Sequence, residues 1–341
     1  MKFRTFGNSG VKASEVGFGV WTVCMPWWGI KDLEFGKRLL RQAYDLGITL
    51  FDTADTYGNG LGETILRDAL GDVRDKITIA TKFGYNFYDT KPEERKGQQE
   101  LPHKFEPEFV SFALEQSLKR LGTDHIDLWQ MHNARMSHIQ MDDIFALMEK
   151  FKKEGKVRSY GVALGPAIGW EDEGVWALKN RPIDALMIIY NLLEQNPGRS
   201  FLPLADKNRV GLQVRVPHSS GMLEGKYTKD TVFPSDDHRA HRKKVWLEQG
   251  LVKIEKLKFL TEGKNRTLGQ VALQYILAHP EVTTTLPNIY NEEQLLEFSS
   301  AVDTPALTAE EMKTVDGLFD SNFGLPVDMS DEKVAVTSGR G

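Results

Sequence analysis

The sequence predicts an α/β fold, specifically a (β/α)8 TIM barrel with an N-terminal β-hairpin and a long loop after its third strand. Three observations predict it. Eight short apolar, β-branched runs alternate with segments of helical period, the pattern of βα units around a parallel sheet. No G-x-G-x-x-G fingerprint follows the first run, as a doubly wound dinucleotide-binding sheet would usually show. A length of 341 residues suits one large barrel with insertions.

The opening KFRTFGNSGVKASEV reads as a hairpin turning at Asn8 to Gly10 and capping the barrel floor. The predicted strands are 15–20, 48–52, 77–82, 126–132, 157–164, 185–191, 211–217 and 282–287. Between them, Leu39, Ala43 and Leu46 share one helical face before Gly47. Val110, Leu114, Leu118 and Leu121 do so before Gly122, a glycine in the C′ position. The segment GQVALQYILAHP stops at Pro280. Residues 83–106, after the third strand, are too long and too polar for a simple connection, and read as a solvated lid or a subunit contact. No repeat, low-complexity tract or linker divides the chain, so residues 1–341 are expected to form a single barrel domain.

Composition excludes several functions. With 40% apolar and 27% charged residues the chain has the make-up of an ordinary soluble globular protein. A net charge of −5 and a pI near 6.0 give no general attraction to nucleic acid or to an anionic membrane. Cys24 is the only cysteine, so no intramolecular disulfide, thiolate zinc cluster or cysteine-ligated iron–sulfur centre can be built. His238 and His241 stand three apart without a third metal ligand and read as a solvated pair. The first residues lack the apolar core of a signal peptide, and no apolar run approaches the ~20 residues of a membrane span. A soluble, cytoplasmic protein is expected.

In such a barrel the chemistry sits where strands end and βα loops begin. Asp52 ends the second predicted strand, Tyr57 lies in the loop after it, Lys82 ends the third and His132 the fourth. Four ionisable groups on neighbouring strands would thus meet at one rim. Asp55, in the same loop as Tyr57, reads as a turn carboxylate. GNGLG, Gly58 to Gly62, lacks the spacing and position of a phosphate loop.

The motifs FDTADTYG, IATKFG and LWQMH, with FRTFGNSGVKASEVGFGVW, KKEGKVRSYGV, GMLEGKY and GQVALQYILAHP, resemble the aldo-keto reductases over nearly the whole chain. The resemblance implies an (α/β)8 barrel using NADP(H) or NAD(H), with a catalytic tetrad falling on Asp52, Tyr57, Lys82 and His132. The chemistry agrees. Reducing a carbonyl creates an alkoxide that must be protonated. Tyr57 would be the general acid, Lys82 would draw its pKa down from ~10 towards neutrality, Asp52 would hold Lys82, and neutral His132 would polarise the carbonyl.

The expected cofactor contacts depart from the family. Ala163 and Leu164 replace a Ser-Asn pair after the fifth strand, and Met187 replaces a Gln on the sixth, so the usual side-chain hydrogen bonds to the carboxamide cannot form. Arg215 takes an aromatic position, followed by Pro217 and His218. After the eighth strand Asn288 replaces a glycine, Tyr290 replaces the basic residue that meets the 2′-phosphate of NADP, and Phe298 an adenine-side Asn; Gln294 is a further candidate cofactor contact. Two accounts stand open. The cofactor binds but is held differently, with Arg215 meeting a phosphate and Arg199, Lys207 or Arg239 replacing the lost cation; or nicotinamide is retained tightly, or absent.

Trp21, Trp27, Trp28, Tyr85 and Trp129 are candidate pocket walls, with Phe87 and Tyr88, suited to aryl carbonyls or sugar C–H faces. The leading expectation is an NAD(P)H-dependent oxidoreductase acting on an aldehyde, ketone or sugar-derived carbohydrate carbonyl. The alternatives are an acid–base lyase or epimerase on the same barrel, and a non-enzymatic binding subunit.

Overall fold

The computed structural model describes residues 1–25, 29–89, 100–165, 170–235, 237, 239–240 and 242–326. A two-stranded antiparallel hairpin, β1 (Phe3–Thr5) and β2 (Lys12–Ser14), precedes the barrel strands. These are β3 (Phe18–Gly19), β4 (Leu50–Asp52), β5 (Thr78–Phe83), β6 (Ile126–His132), β7 (Val157–Ala163), β8 (Ala185–Ile189), β9 (Gly211–Arg215) and β10 (Val282–Leu286). All pair in parallel in sequence order, and a parallel bridge between Val16 and Thr285 joins the first edge to the last. The sheet therefore closes.

The helices are α1 (Trp21–Cys24), α2 (Leu33–Asp45), α3 (Leu61–Leu70), α4 (Pro107–Leu121), α5 (Met136–Ile139), α6 (Asp142–Lys153), α7 (Glu171–Asn180), α8 (Gly198–Asn208), α9 (Lys244–Lys256), α10 (Leu268–Leu277), α11 (Glu292–Ser299) and α12 (Ala309–Asp320). Their termini follow local chemistry. Asp32 accepts from the Glu34 and Phe35 amides to start α2, Thr267 and Gln270 form a capping box on α10, and Gly122 adopts φ +64° where α4 ends. Val110, Leu114, Leu118 and Leu121 are buried against the sheet as predicted. Leu46, at the end of its helix, is exposed.

All eight predicted barrel strands are present, with ends trimmed where the backbone departs from β geometry. The sixth stops at Ile189 because the Asn191 side chain accepts the Leu193 and Glu194 amides and turns the chain. The seventh stops at Arg215 because Val216 adopts φ +56°, a costly conformation for a β-branched residue.

Side-chain alternation divides the barrel interior into two levels. Phe6, Val11 and Ala13 of the hairpin pack with Leu50, Ala80, Leu128 and Ala185 in the lower part of the barrel, and with Leu286 at the end of β10. This apolar plug closes the floor. Towards the C-terminal ends the inward positions become polar, with Asp52, Lys82, Gln130, His132 and Gln213. After β5 the long connection begins and ends as a ribbon: Tyr85 bridges His103, Asn86 N donates to Pro102 O at 2.9 Å, and Lys104 N donates to Gly84 O at 2.8 Å.

Candidate active site

Lys82 is 1% exposed at the end of β5, and its Nζ donates to Asp52 Oδ1 on β4 and to Thr53 O, both at 2.6 Å. Two amides across the barrel extend this contact. Gln213 Nε2 donates to Asp52 Oδ2 at 3.0 Å, and Gln130 Nε2 to Gln213 Oε1 at 3.0 Å. Tyr57 stands above the pair, its ring centroid 5.0 Å from Lys82 Nζ. Its other neighbours are Trp21, edge-on at 4.8 Å, and His132, edge-on at 5.8 Å. Gly62 lets α3 begin here: a Cβ would stand 2.4 Å from Thr53 Oγ1 and 3.2 Å from Tyr57 Cβ.

These contacts set protonation. Burial works against the Lys82 ammonium, but Asp52 and Tyr57 outweigh it, and its pKa lies above the ordinary lysine value. Burial raises the Asp52 carboxyl, opposed by Lys82 and Gln213. Burial likewise pushes Tyr57 above the ordinary phenol; Lys82 pulls it down and Asp52 pushes it up. The expected drop towards neutrality is therefore reversed: burial of the phenol outweighs the field of Lys82, which Asp52 also partly offsets. His132, 8% exposed, lies well below the ordinary histidine range because of burial and the nearby Lys82 and Arg215 cations. The site thus pairs a protonated phenol with a neutral imidazole, a combination suited to donating hydrogen bonds and one proton to an oxygen that gains charge.

Arg215 extends into the same mouth from β9. Its Nη2 donates to Leu164 O at 2.9 Å, its Nε is buried without a hydrogen-bond partner among the described residues, and its charge interacts with Tyr57, Asp52 and Tyr85. A second polar group lies beyond β9 and β10. Gln294 receives the Tyr290 amide at 2.9 Å and donates to Glu224 at 2.9 Å, and Tyr290 interacts with Arg239. Arg239 donates to Tyr227 Oη at 2.6 Å and is clamped by Asp237, while Arg242 donates to Ser220 Oγ at 3.1 Å.

The sequence profile described as the aldo/keto reductase family matches residues 15–320. The chain belongs to that family. Aldo-keto reductase YhdN of Bacillus subtilis (strain 168) is 28% identical, with 96% of each chain covered. The NADH-specific methylglyoxal reductase of Escherichia coli (strain K12) is 27% identical over 89% of this chain and 94% of its own. Among solved structures, the glycerol dehydrogenase AKR11B4 from Gluconobacter oxydans matches with a TM-score of 0.81 at 27% identity, covering 96% of this chain and 97% of its own.

In this aldo-keto reductase the residues named from sequence divide into several groups. Asp52, Tyr57, Lys82, His132, Trp21 and Arg215 converge. Tyr85 joins them: its ring lies edge-on to His132 at 5.0 Å, stacks on His103 at 4.3 Å, and its Oη donates to Glu100 at 2.7 Å. Ala163 and Met187 point into the barrel and join its apolar level. Pro217 is buried in the turn after β9, and Asn288, Tyr290 and Gln294 follow β10. Trp27, Trp28, His238 and His241 lie outside the described residues.

Three expectations are corrected. Trp129 does not wall the pocket: it is fully buried on the outward face of β6, stacked on Phe83 at 3.8 Å and edge-on to Phe151 of α6. Leu164 turns its side chain towards α7, so only its carbonyl serves the site. Asp55 is no surface turn residue; it is 0% exposed, and neither carboxylate oxygen has a hydrogen-bond partner among the described residues. Burial and Glu63 raise its pKa well above the usual carboxylate range. Glu63 itself is paired with Arg120 at 2.6 Å and accepts from Thr81 at 2.7 Å.

Sequence reasoning did not single out Gln130, Gln213 and Arg242. The two glutamines carried a signal, an amide at an inward position of an otherwise apolar strand. Of the cations considered for a 2′-phosphate, Arg199 is bound to Asp316 and Asp320, and Lys207 lies in the last turn of α8, at the barrel's opposite end. Arg239 alone of the three stands beside Tyr290.

Proposed function

We propose that this aldo-keto reductase reduces a small aldehyde, ketone or sugar-derived carbonyl, or catalyses the reverse oxidation, with Tyr57 as the general acid and base. One observation carries the reading: a protonated Tyr57 stands over the Lys82–Asp52 pair with neutral His132 beside it. The substrate carbonyl sits between Tyr57 Oη and the His132 imidazole. His132 polarises the oxygen by a hydrogen bond, Tyr57 delivers its proton as charge develops, and Lys82 stabilises the resulting phenolate. Asp52, steadied by Gln213, keeps the ammonium beneath the phenol. Cys24 takes no part, because burial raises its thiol to about 12 and it donates to Val20 O at 3.1 Å.

The donor set suits a nicotinamide dinucleotide. Arg242 has a buried Nε without a hydrogen-bond partner among the described residues, and with Arg239 it flanks Ser220 in the loop after β9, where barrels of this class place phosphates. Arg239, Arg242 and Ser220 would hold the phosphates, Gln294, Tyr290 and Asn288 the adenosine end, and Trp21 with backbone groups near Leu164 and Pro217 the ring end. Bound NADPH or NADH supplies the hydride. Asp237 neutralises much of Arg239, so the charge of this set does not select NADP(H) over NAD(H).

The test pairs two measurements. Fluorescence titration with NADPH and with NADH identifies the cofactor. Tyr57→Phe should then cut turnover by about 10²–10⁴-fold while leaving that affinity unchanged; full activity in the variant would exclude this mechanism.

A further inference from the structure

Within the mouth, cationic charge is not balanced. Lys82 is matched by Asp52, and Asp52 is already shared between Lys82 and Gln213. Arg215 has no acidic partner within ion-pair distance among the described residues. Its guanidinium is desolvated enough to lie below the ordinary arginine pKa, yet a guanidinium remains charged at every working pH. A partly buried cation without a counter-ion is unfavourable, and a ligand anion supplies what the protein omits.

Geometry says where that anion would sit. Gln213 reaches across the barrel to Asp52 at 3.0 Å. Arg215 lies two residues further along β9 on the same inward face, about 6.6 Å nearer the opening. It therefore faces the space above Asp52 where Tyr57 and His132 stand. Leu164 O holds Nη2, and the adjacent buried Nε is left to donate. Tyr290 and Gln294, with Arg239, form a separate set beyond the strand ends. The nicotinamide end of the cofactor offers only a neutral carboxamide and, when oxidised, a cationic ring; neither neutralises a guanidinium.

We infer that Arg215 is a specificity-determining residue that selects carbonyl substrates bearing a carboxylate next to the reacting carbon, the 2-oxo acids and, in reverse, the 2-hydroxy acids. The inference rests on the reductase reading of the same site. In the step, hydride from the reduced nicotinamide adds to C2, the carbonyl π electrons pass to oxygen, and Tyr57 Oη supplies the proton. The carboxylate is unchanged and serves as the handle, received by the guanidinium through charge-assisted hydrogen bonds.

Phenylglyoxylate and its methyl ester present the same ketone with and without the charge, and phenylacetate presents the charge without a reducible carbonyl. The wild-type protein should show a kcat/KM at least about tenfold higher for the acid than for the ester. Arg215→Leu should lower the acid's value by about 100-fold, chiefly through KM, and the ester's far less, so that the acid-to-ester ratio falls at least about tenfold with NADH or NADPH affinity unchanged. Arg215→Gln, which can keep the hydrogen bond to Leu164 O but not the charge, should behave alike, and a matched melting temperature shows that it folds. Calorimetry should detect phenylacetate binding to the wild type and its loss in both variants. That arm reads the anion site even if neither ketone is turned over, so failure of the reductase reading is distinguishable. Equal losses for acid and ester, weakened cofactor binding in place of either, preference for the ester, or phenylacetate binding that survives the substitutions would each overturn the assignment.

Discussion

The two levels of the barrel interior are built from the same alternating strands but follow opposite rules. The lower level is mainly apolar: Leu50, Ala80, Leu128 and Leu286 meet Phe6, Val11 and Ala13. The upper level buries Asp52, Lys82, Gln130, His132 and Gln213, and hydrogen bonds link four of them, Lys82 to Asp52, Asp52 to Gln213 and Gln213 to Gln130. The difference separates fold from chemistry. The floor is held by apolar packing, and the rim holds groups whose pKa values are set by burial and by one another.

That separation can be broken in stages. Tyr57→Phe should remove about 10²–10⁴-fold of turnover with no change in melting temperature, since the phenol hydroxyl is not needed for packing; a large loss of stability would show that rim and floor are not separable. Lys82→Met should also abolish turnover but cost about 3–5 kcal/mol in denaturant unfolding, because Asp52 is left buried without its cation. Leu128→Ala, in the floor, should cost about 2–5 kcal/mol by opening a cavity while activity per folded molecule stays within twofold. Gln213→Leu should cost about 1–3 kcal/mol through the unmet acceptor on Asp52 and lower kcat modestly, by roughly tenfold.

The smallest effect concerns Asp55. Its folded pKa is raised above the unfolded value, so the native state binds more protons, and stability falls as pH rises from about 4. Asp55→Asn should therefore stabilise the protein at pH 7 by about 1 kcal/mol and flatten urea-midpoint profiles above pH 4. A midpoint that drops at pH 7 would mean the carboxylate has a partner in solution. A companion profile concerns the phenol. Because Tyr57 lies above the ordinary ~10, reduction should hold level through neutral pH and fail only at strongly alkaline pH.

The strands were legible because each is a β-branched run of the right length, and Asp52, Lys82 and His132 because each ends such a run. What the sequence did not reveal depended on direction or on distant partners. Trp129 and Gln130 are adjacent, and strand alternation sends the expected pocket wall to the helices and the residue not singled out to the axis. Asp55 sits among Asp, Thr and Gly as a turn residue would, but it is buried and interacts electrostatically with Glu63, Arg120 and Tyr88, which arrive from α3, α4 and the segment after β5. The lowering expected for Tyr57 counted the lysine charge and omitted the phenol's burial, which outweighs it, and the Asp52 counter-ion.

The bridge from Val16 to Thr285 ties the start of the barrel to its end, and Arg4 reinforces it by donating to the carbonyls of His279 and Val282, 275 and 278 positions on. During synthesis the first strand thus emerges long before the last strand exists, and its outer edge stays unpaired for nearly the whole elongation time. Barrel closure becomes the final, highest-separation contact of folding. A nascent chain halted before residue 282 exposes a sticky β-edge, and the cell's chaperones would meet this protein there first.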